Sequence, residues 1–393
     1  MTDADETRVL TLVDQLLAEH PPADTEPQRF LEAQFDLGLA WVNFDEGFGG
    51  LGVRPGLQKV VQTTLQAAGA PHPYPRNPIG YGMGAPTVYT HGSDQQRRRY
   101  LRPLFSGEEV WCQMFSEPGA GSDVASLSTK AVRDGDEWIV NGQKVWTTLA
   151  HLSRFGMLIA RTDPQQPKHK GMTYFVVDMQ APGVEVRPLY QITGEAEFNE
   201  VYFTDVRIPD DERLSDVGDG WRTALTTLMN ERVSIGGNVP ERGSGLIQIA
   251  TRAWKQAERH DPAMKDELVK LWIEAEVLRL TNWRASQTRA VGTPGPEGSI
   301  GKLAFAELNK RITEFAVDVL GADGMLMPGG YPKTRSPGAM NFEHAQRAFL
   351  RTRANSIEGG TTEVMKNILG ERVLGLPGDV RTDKELPWID VPR

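Results

Sequence analysis

Apolar positions change their spacing twice along the chain. From Arg8 to about Glu108 they recur every three or four residues. Val9, Leu10, Leu12, Val13, Leu16 and Leu17 form one such stripe, and Val60 to Ala68 continue the pattern. That period predicts helices, and Pro21-Pro22, Gly47 to Gly52 and Pro71 to Pro78 predict the rigid loops between them. Near Val110 the period shortens. Lys130 to Arg133, Asp134-Gly-Asp136 and Glu137 to Val140 read as a hairpin, and Asn141-Gly142 as a second hairpin turn. Strands are expected at Gly156 to Ala160, Met172 to Val177, Val184 to Pro188 and Glu200 to Val206, the spacing of a small barrel or sandwich. From Gly218 the helical period returns. Trp221, Leu225, Leu228 and Met229 mark one face, Leu268, Leu271, Trp272 and Ala275 another, and Leu303, Ala306, Leu308 and Ile312 a third. Breaks fall at Thr293-Pro-Gly-Pro296 and Met327-Pro-Gly-Gly330, which suggests an antiparallel bundle. The expected fold is an α+β multidomain chain: an all-α domain over 1–109, a β-barrel or sandwich over 110–215, and a helical bundle over 216–393.

Composition narrows what such a chain does. A length of 393 residues exceeds one compact core. The net charge of −9 and a single short basic run, Arg97 to Arg99, argue against nucleic-acid binding. The lone Cys112 reads as a small buried hydrophobe in a reducing compartment. The acidic N-terminus has no apolar stretch, and no run approaches the ~20 apolar residues of a membrane span. A soluble cytoplasmic protein without membrane contact is expected. The histidines show no ligand spacing, so no metal is expected.

Five segments bear on candidate chemistry. Gly47-Phe-Gly-Gly-Leu-Gly52 has the spacing of a dinucleotide fingerprint but lacks the strand before it and the helix after it, so a tight loop is expected. Phe115-Ser-Glu-Pro-Gly-Ala-Gly-Ser-Asp123 is a glycine turn whose N–H groups can converge on an anion, with Ser116 and Ser122 as further donors. Asn141-Gly-Gln-Lys-Val-Trp-Thr-Thr148 brings an indole and two hydroxyls close by. Glu231-Arg232 lies on a helix among Met229 and Val233, where apolar surroundings raise a carboxyl toward a base near neutral pH. Ser356-Ile-Glu-Gly-Gly-Thr-Thr-Glu363 precedes a final helix, whose start at Thr361 to Val364 offers unpaired N–H groups; Glu358 is a second candidate base.

These motifs together resemble the acyl-CoA dehydrogenase family over nearly the whole chain. The likeness is carried by Phe44 to Gly52, Phe115 to Asp123, Asn141 to Thr148, Leu320-Gly-Ala-Asp-Gly324 and Glu358-Gly-Gly-Thr361. It implies an all-helical N-terminal domain, a middle β-domain, a C-terminal four-helix bundle and noncovalent FAD. It implies α,β-dehydrogenation of an acyl-CoA thioester, with electrons passing to an electron-transfer flavoprotein. By the same resemblance Gln113, Phe115, Ser116, Gly121, Ser122, Trp146, Thr147, Thr148, Arg259, Gly321, Thr361 and Glu363 hold the flavin. Ser122, Met229, Arg232 and Glu358 contact substrate, and the Gly359 N–H stabilises the thioester oxygen. Aligning on Gly360-Thr361 puts Gly359 where most members carry the base, and a branch similar to isovaleryl-CoA dehydrogenase carries it before a helix arginine instead. Glu231 matches that position and is the preferred base, with Glu358 the alternative. The stretches Arg259-His-Asp-Pro262 and Asp318-Val-Leu-Gly-Ala322 depart from the family pattern in the half-site given to a partner, so a heterotetramer stands beside a homodimer or homotetramer. Rival readings are an acyl-CoA oxidase or flavin monooxygenase on the same fold, and a silent subunit completing a partner's FAD site.

Overall fold

The structure, a computed structural model, describes residues 4–236, 239–257, 260–289, 297–328, 330, 333–334 and 344–392. It divides into two compact units. The first comprises 1–189, 198–230 and 381–393, and the second 190–197 and 231–380.

The first unit opens with helices α1 (Ala4–Glu19), α2 (Pro27–Asp36), α3 (Gln58–Ala67), α4 (Ala85–His91) and α5 (Asp94–Ser106). The stripe Val9, Val13 and Leu16 is fully buried against Phe30, Leu39, Val61 and Leu65, as its spacing requires. The loop after α2 is indeed a packed turn. Glu46 pairs with Gly50, and a Cβ on Gly50 would stand 2.1 Å from the Phe44 carbonyl oxygen.

A mixed sheet follows, formed by β1 (Trp111–Met114), β2 (Lys130–Asp134), β3 (Glu137–Thr148), β4 (Phe155–Arg161), β5 (Met172–Asp178), β6 (Val184–Leu189), β7 (Phe198–Pro209) and β8 (Arg213–Leu214). The order is β6-β7-β3-β2-β4-β5-β8, with β1 parallel to β4. Every residue of β4 is buried, because its two faces serve two cores. Met157 and Ile159 join the aromatic core shared with the helices, while Leu158 and Ala160 join a second core inside the sheet. The sheet curls far enough for Trp138 of β3 to meet Phe175 of β5, ring centroids 5.5 Å apart.

Asn141-Gly142 is not a turn. It lies inside β3 at a bulge opposite β7, where the register slips between Val140 and Gly142. Asn141 Nδ2 donates to Asp205 Oδ1 at 2.9 Å, and Asp205 N donates to Asn141 Oδ1 at 3.0 Å. A Cβ on Gly142 would lie 2.4 Å from Thr129 Oγ1. The glycine therefore serves a close strand contact, and the amide side chain knits the bulge to its neighbour.

Helix α6 (Gly220–Gly236) leaves the first unit at Asn230. Among its described side chains Thr223, Ala224 and Thr227 are fully buried; of the expected apolar face, Trp221 and Leu228 pack against the core, whereas Leu225 and Met229 are 38% and 39% exposed. Small residues let the helix approach the sheet, and the hydroxyls are satisfied: Thr227 Oγ1 lies 2.9 Å from both Tyr174 Oη and Thr87 Oγ1.

The second unit holds α7 (Ile247–Gln256), α8 (Pro262–Arg289), α9 (Glu297–Leu320), α10 (Ala345–Thr352) and α11 (Thr362–Arg372). Helix α9 is central, packing on the other four, and Leu308, Ile312, Phe315 and Ala316 carry that core. The expected break at 293–296 lies outside the described residues. The chain end then returns to the first unit. Trp388 N and Ile389 N donate to the Gln166 and Pro164 carbonyls, and the Trp388 ring lies 4.8 Å from the Arg161 guanidinium.

Candidate active site

The glycine turn and the indole strand are stitched together by a buried ion pair that sequence reasoning missed. Lys144 is fully buried at an inward position of β3. Its Nζ donates to Glu117 Oε1 at 2.8 Å and to the Phe115 carbonyl at 3.0 Å. Glu117 also accepts from Ser128 N, Ser128 Oγ and Thr129 N at 2.7 to 2.9 Å. Burial alone would raise this carboxyl, but Lys144 and the hydrogen bonds hold it down to about 2. Val145 N donates to the Ser116 carbonyl at 2.9 Å, a further stitch. The available signal was a lysine on the inward stripe of a strand, which calls for a buried acid.

Around this stitch the expected flavin residues of the first unit gather. Glu117 and Ala120 exchange two backbone hydrogen bonds at 3.0 Å, closing the turn. Gly119 and Gly121 have no neighbour within 4 Å of a built Cβ, and neither has positive φ. Nothing inside the described structure requires glycine there, and the turn is open enough for a ligand to approach its backbone. Gln113 is half-buried on β1 beside Met157. The Phe115 ring meets Tyr174 edge-on at 5.8 Å, and Tyr174 reaches α6 through Thr227.

Trp146 has φ of 61° and is 56% exposed, with Phe198 against its edge at 5.9 Å. A second β3–β7 bulge, between Lys144 and Thr147, sets this turn-out. A bulky residue in the left-handed region costs on the order of 1–3 kcal/mol. Here that strain holds an indole out of the core. Beside it, the Thr147 hydroxyl is buried without a hydrogen-bond partner, and the Ser116, Ser122 and Thr148 hydroxyls make none among the described residues. An exposed indole, an open glycine turn and unengaged hydroxyls suit a flat polar cofactor such as a flavin. Trp146→Ala is expected to change unfolding stability by less than about 1 kcal/mol, since the ring is exposed. It should weaken flavin binding by about 1–2 kcal/mol, read as roughly a tenfold rise in Kd in a fluorescence titration.

In the second unit, Glu231 is half-buried on α6, four residues beyond Thr227 on the same helical stripe. Glu358 is differently placed. Its Oε1 accepts from Arg351 Nη1 at 3.1 Å and Asn355 Nδ2 at 2.7 Å, and its Oε2 from Arg351 Nη2 at 3.0 Å. Gly359 and Gly360 follow with φ of 63° and 96°. Thr361 caps α11, its hydroxyl accepting from Val364 N at 3.2 Å, as expected for a helix start. Glu363 is exposed in the first turn of α11, and Gly321 ends α9 with φ of 58°. Arg259 and the side chain of Arg232 lie outside the described residues. Among the described residues no metal-binding cluster exists, and no helix is long and apolar enough to cross a membrane.

Comparison with known proteins decides what carries these features. Residues 8–108, 112–206 and 218–374 match the N-terminal, middle and C-terminal domains of acyl-CoA dehydrogenase. The acyl-CoA dehydrogenase IpdE1 of Mycobacterium tuberculosis is 39% identical over 345 residues, covering 88% of this chain and 86% of that protein. The chain belongs to the acyl-CoA dehydrogenase family. FadE34 of the same organism, also an acyl-CoA dehydrogenase, is 40% identical, but the match spans 87% of this chain and only 45% of that longer protein. Among solved structures the dehydrogenase is similar to the Tcur3481-Tcur3483 steroid ACAD (TM-score 0.73, 25% identity, 96% of this chain and 99% of that one). It is also similar to the ChsE4-ChsE5 complex from Mycobacterium tuberculosis (TM-score 0.72, 27% identity, 96% and 99%). The three-domain architecture of the dehydrogenase is thus that of its family, whose members use FAD.

Proposed function

We propose that this dehydrogenase oxidises a bulky, ring-bearing acyl-CoA to its 2-enoyl-CoA with FAD, and that Glu231 is the base. The observation that carries the reading is the face built around the Glu117–Lys144 pair: Ser116, the open turn at Gly121 and Ser122, the strained Trp146, and Thr147 and Thr148. These residues would hold FAD, which when bound accepts the β-hydrogen as hydride. Glu231 removes the α-proton, and the Gly359 N–H faces the thioester oxygen as negative charge develops there. Glu358 serves poorly as a base, because both of its oxygens are already engaged by Arg351 and Asn355. Glycine at 359 also removes a side chain from the turn, which suits a wide acyl group. The likeness to a steroid ACAD supports the same class.

The natural partner is a second acyl-CoA dehydrogenase chain, as in the two-chain neighbours. Val269, Ile273, Val277, Leu280 and Trp283 form an apolar stripe on α8, each between 44% and 57% exposed, and such a stripe suits a protein interface. Electrons would leave through an electron-transfer flavoprotein. Anaerobic mixing of the FAD-loaded protein with straight, branched and ring-bearing acyl-CoAs tests the reading. Flavin absorbance should bleach fastest with ring-bearing esters. Bleaching by none, or turnover that consumes oxygen, would overturn it.

A further inference from the structure

The segment 190–197 between β6 and β7 belongs to the second unit, and it is anchored there by buried charge. Glu195 pairs with Arg347, and Ala196 N donates to the Thr334 carbonyl at 2.9 Å. The next acid, Glu197, is 2% exposed and receives Arg351 Nε at 3.0 Å. Arg351, 6% exposed, turns the fork of its guanidinium onto Glu358. A single arginine thus spans from the segment 190–197 to the residue preceding Gly359.

Gly359 and Gly360 both have positive φ, and two successive glycines have more backbone freedom than any other pair. An N–H that must meet a developing oxyanion cannot share that freedom, since a misplacement of about 1 Å can lower rate about 10²-fold. Two clamps flank the pair. Upstream, the bidentate Arg351–Glu358 contact fixes the Glu358 side chain, and Glu358 N donates to the Ala354 carbonyl at 2.9 Å. Downstream, the buried Lys302 Nζ donates to the Gly360 carbonyl and to the Asn355 carbonyl at 2.8 Å. The formal charges of Glu197, Arg351, Glu358 and Lys302 cancel. The clamp therefore adds no net negative charge beside the place where the oxyanion forms.

We infer that Arg351, backed by Glu197, is a positioning residue that sets the Gly359 N–H for the thioester oxygen by holding Glu358. This rests on the dehydrogenase reading above. It gives Glu358 a role other than proton abstraction and makes the segment 190–197 part of the catalytic support.

The test uses FAD-loaded protein carrying Arg351→Lys, Glu197→Gln or Glu358→Gln, with wild type and Glu231→Gln alongside. Lysine keeps the charge but loses the fork. Arg351→Lys is expected to lower kcat about 10- to 100-fold while KM and FAD content stay within about twofold. Affinity for an acetoacetyl-CoA enolate, read from its charge-transfer absorbance, should fall by a similar factor, whereas affinity for a saturated acyl-CoA should not. Glu197→Gln and Glu358→Gln should move the same two readouts in the same direction by less, and they decide the matter should Arg351→Lys not fold. The inference is overturned if these variants keep wild-type kcat and enolate affinity, if saturated and enolate ligands weaken equally, or if Glu358→Gln abolishes bleaching as a lost base would. Failure of wild type itself to bleach with any acyl-CoA would instead sink the dehydrogenase reading.

Discussion

Glu231→Gln is expected to leave FAD bound at full occupancy and to slow flavin bleaching by acyl-CoA about 10²- to 10⁴-fold, the usual contribution of a positioned base. The amide is nearly isosteric with the carboxylate, so fold and cofactor face should persist. What disappears is the lone pair that takes the α-proton. The groups proposed to hold the flavin in the first unit sit on β1, the glycine turn and β3, and none of them is Glu231. Rapid-mixing absorbance checks both halves of the expectation in one sample. Bleaching at the wild-type rate would remove Glu231 from the chemistry.

Lys144→Met should destabilise the first unit by about 3–5 kcal/mol, because it strands a buried carboxylate that keeps only its Ser128 and Thr129 hydrogen bonds. Denaturant or thermal unfolding measures the loss, and flavin should be released with it, since this pair joins the glycine turn to the indole strand. The same pair sets an acid limit. Glu117 titrates at about 2 in the folded protein against an ordinary 4.5. A depressed carboxyl contributes stability that is fully present above the unfolded value. That stability is lost as pH falls from 4.5 through about 2. The shift corresponds to about 3 kcal/mol. Wild type should therefore lose stability and flavin across that window, and Glu117→Gln should lose stability at neutral pH and show a flatter acid profile.

Helical and strand periods showed where the chain is α and where it is β, because burial follows the 3.6 and 2.0 repeats of the backbone. The apolar run Phe155 to Ala160 of β4 was legible for the same reason, since both of its faces are covered. Other features were hidden by chemistry that a linear pattern does not encode. Asn141-Gly142 has the composition of a turn, yet the partner strand β7 and the Asp205 side chain make it a bulge. Helix α6 buries Thr223 and Thr227 more deeply than Trp221 and Leu228, and Tyr174 and Thr87 supply hydroxyl partners to Thr227 from distant parts of the chain. The Glu117–Lys144 pair spans 27 positions, and the Glu197–Arg351 pair spans 154. Long-range charge pairs of this kind leave only the weak signal of a charged residue in a buried register. The return of Trp388 to Arg161 leaves none. For the candidate site, the motif segments themselves were legible. The strain at Trp146 and the engagement of Glu358 were not, for both depend on neighbours that the sequence does not display.

The most direct test of the account is a crystal structure of the protein with FAD and a ring-bearing CoA thioester analogue. The account predicts the isoalloxazine against Ser116, Trp146 and Thr148, with a Glu231 carboxylate oxygen about 3–3.5 Å from the substrate α-carbon. A flavin seated elsewhere, or Glu358 released from Arg351 and facing that carbon in place of Glu231, would contradict it.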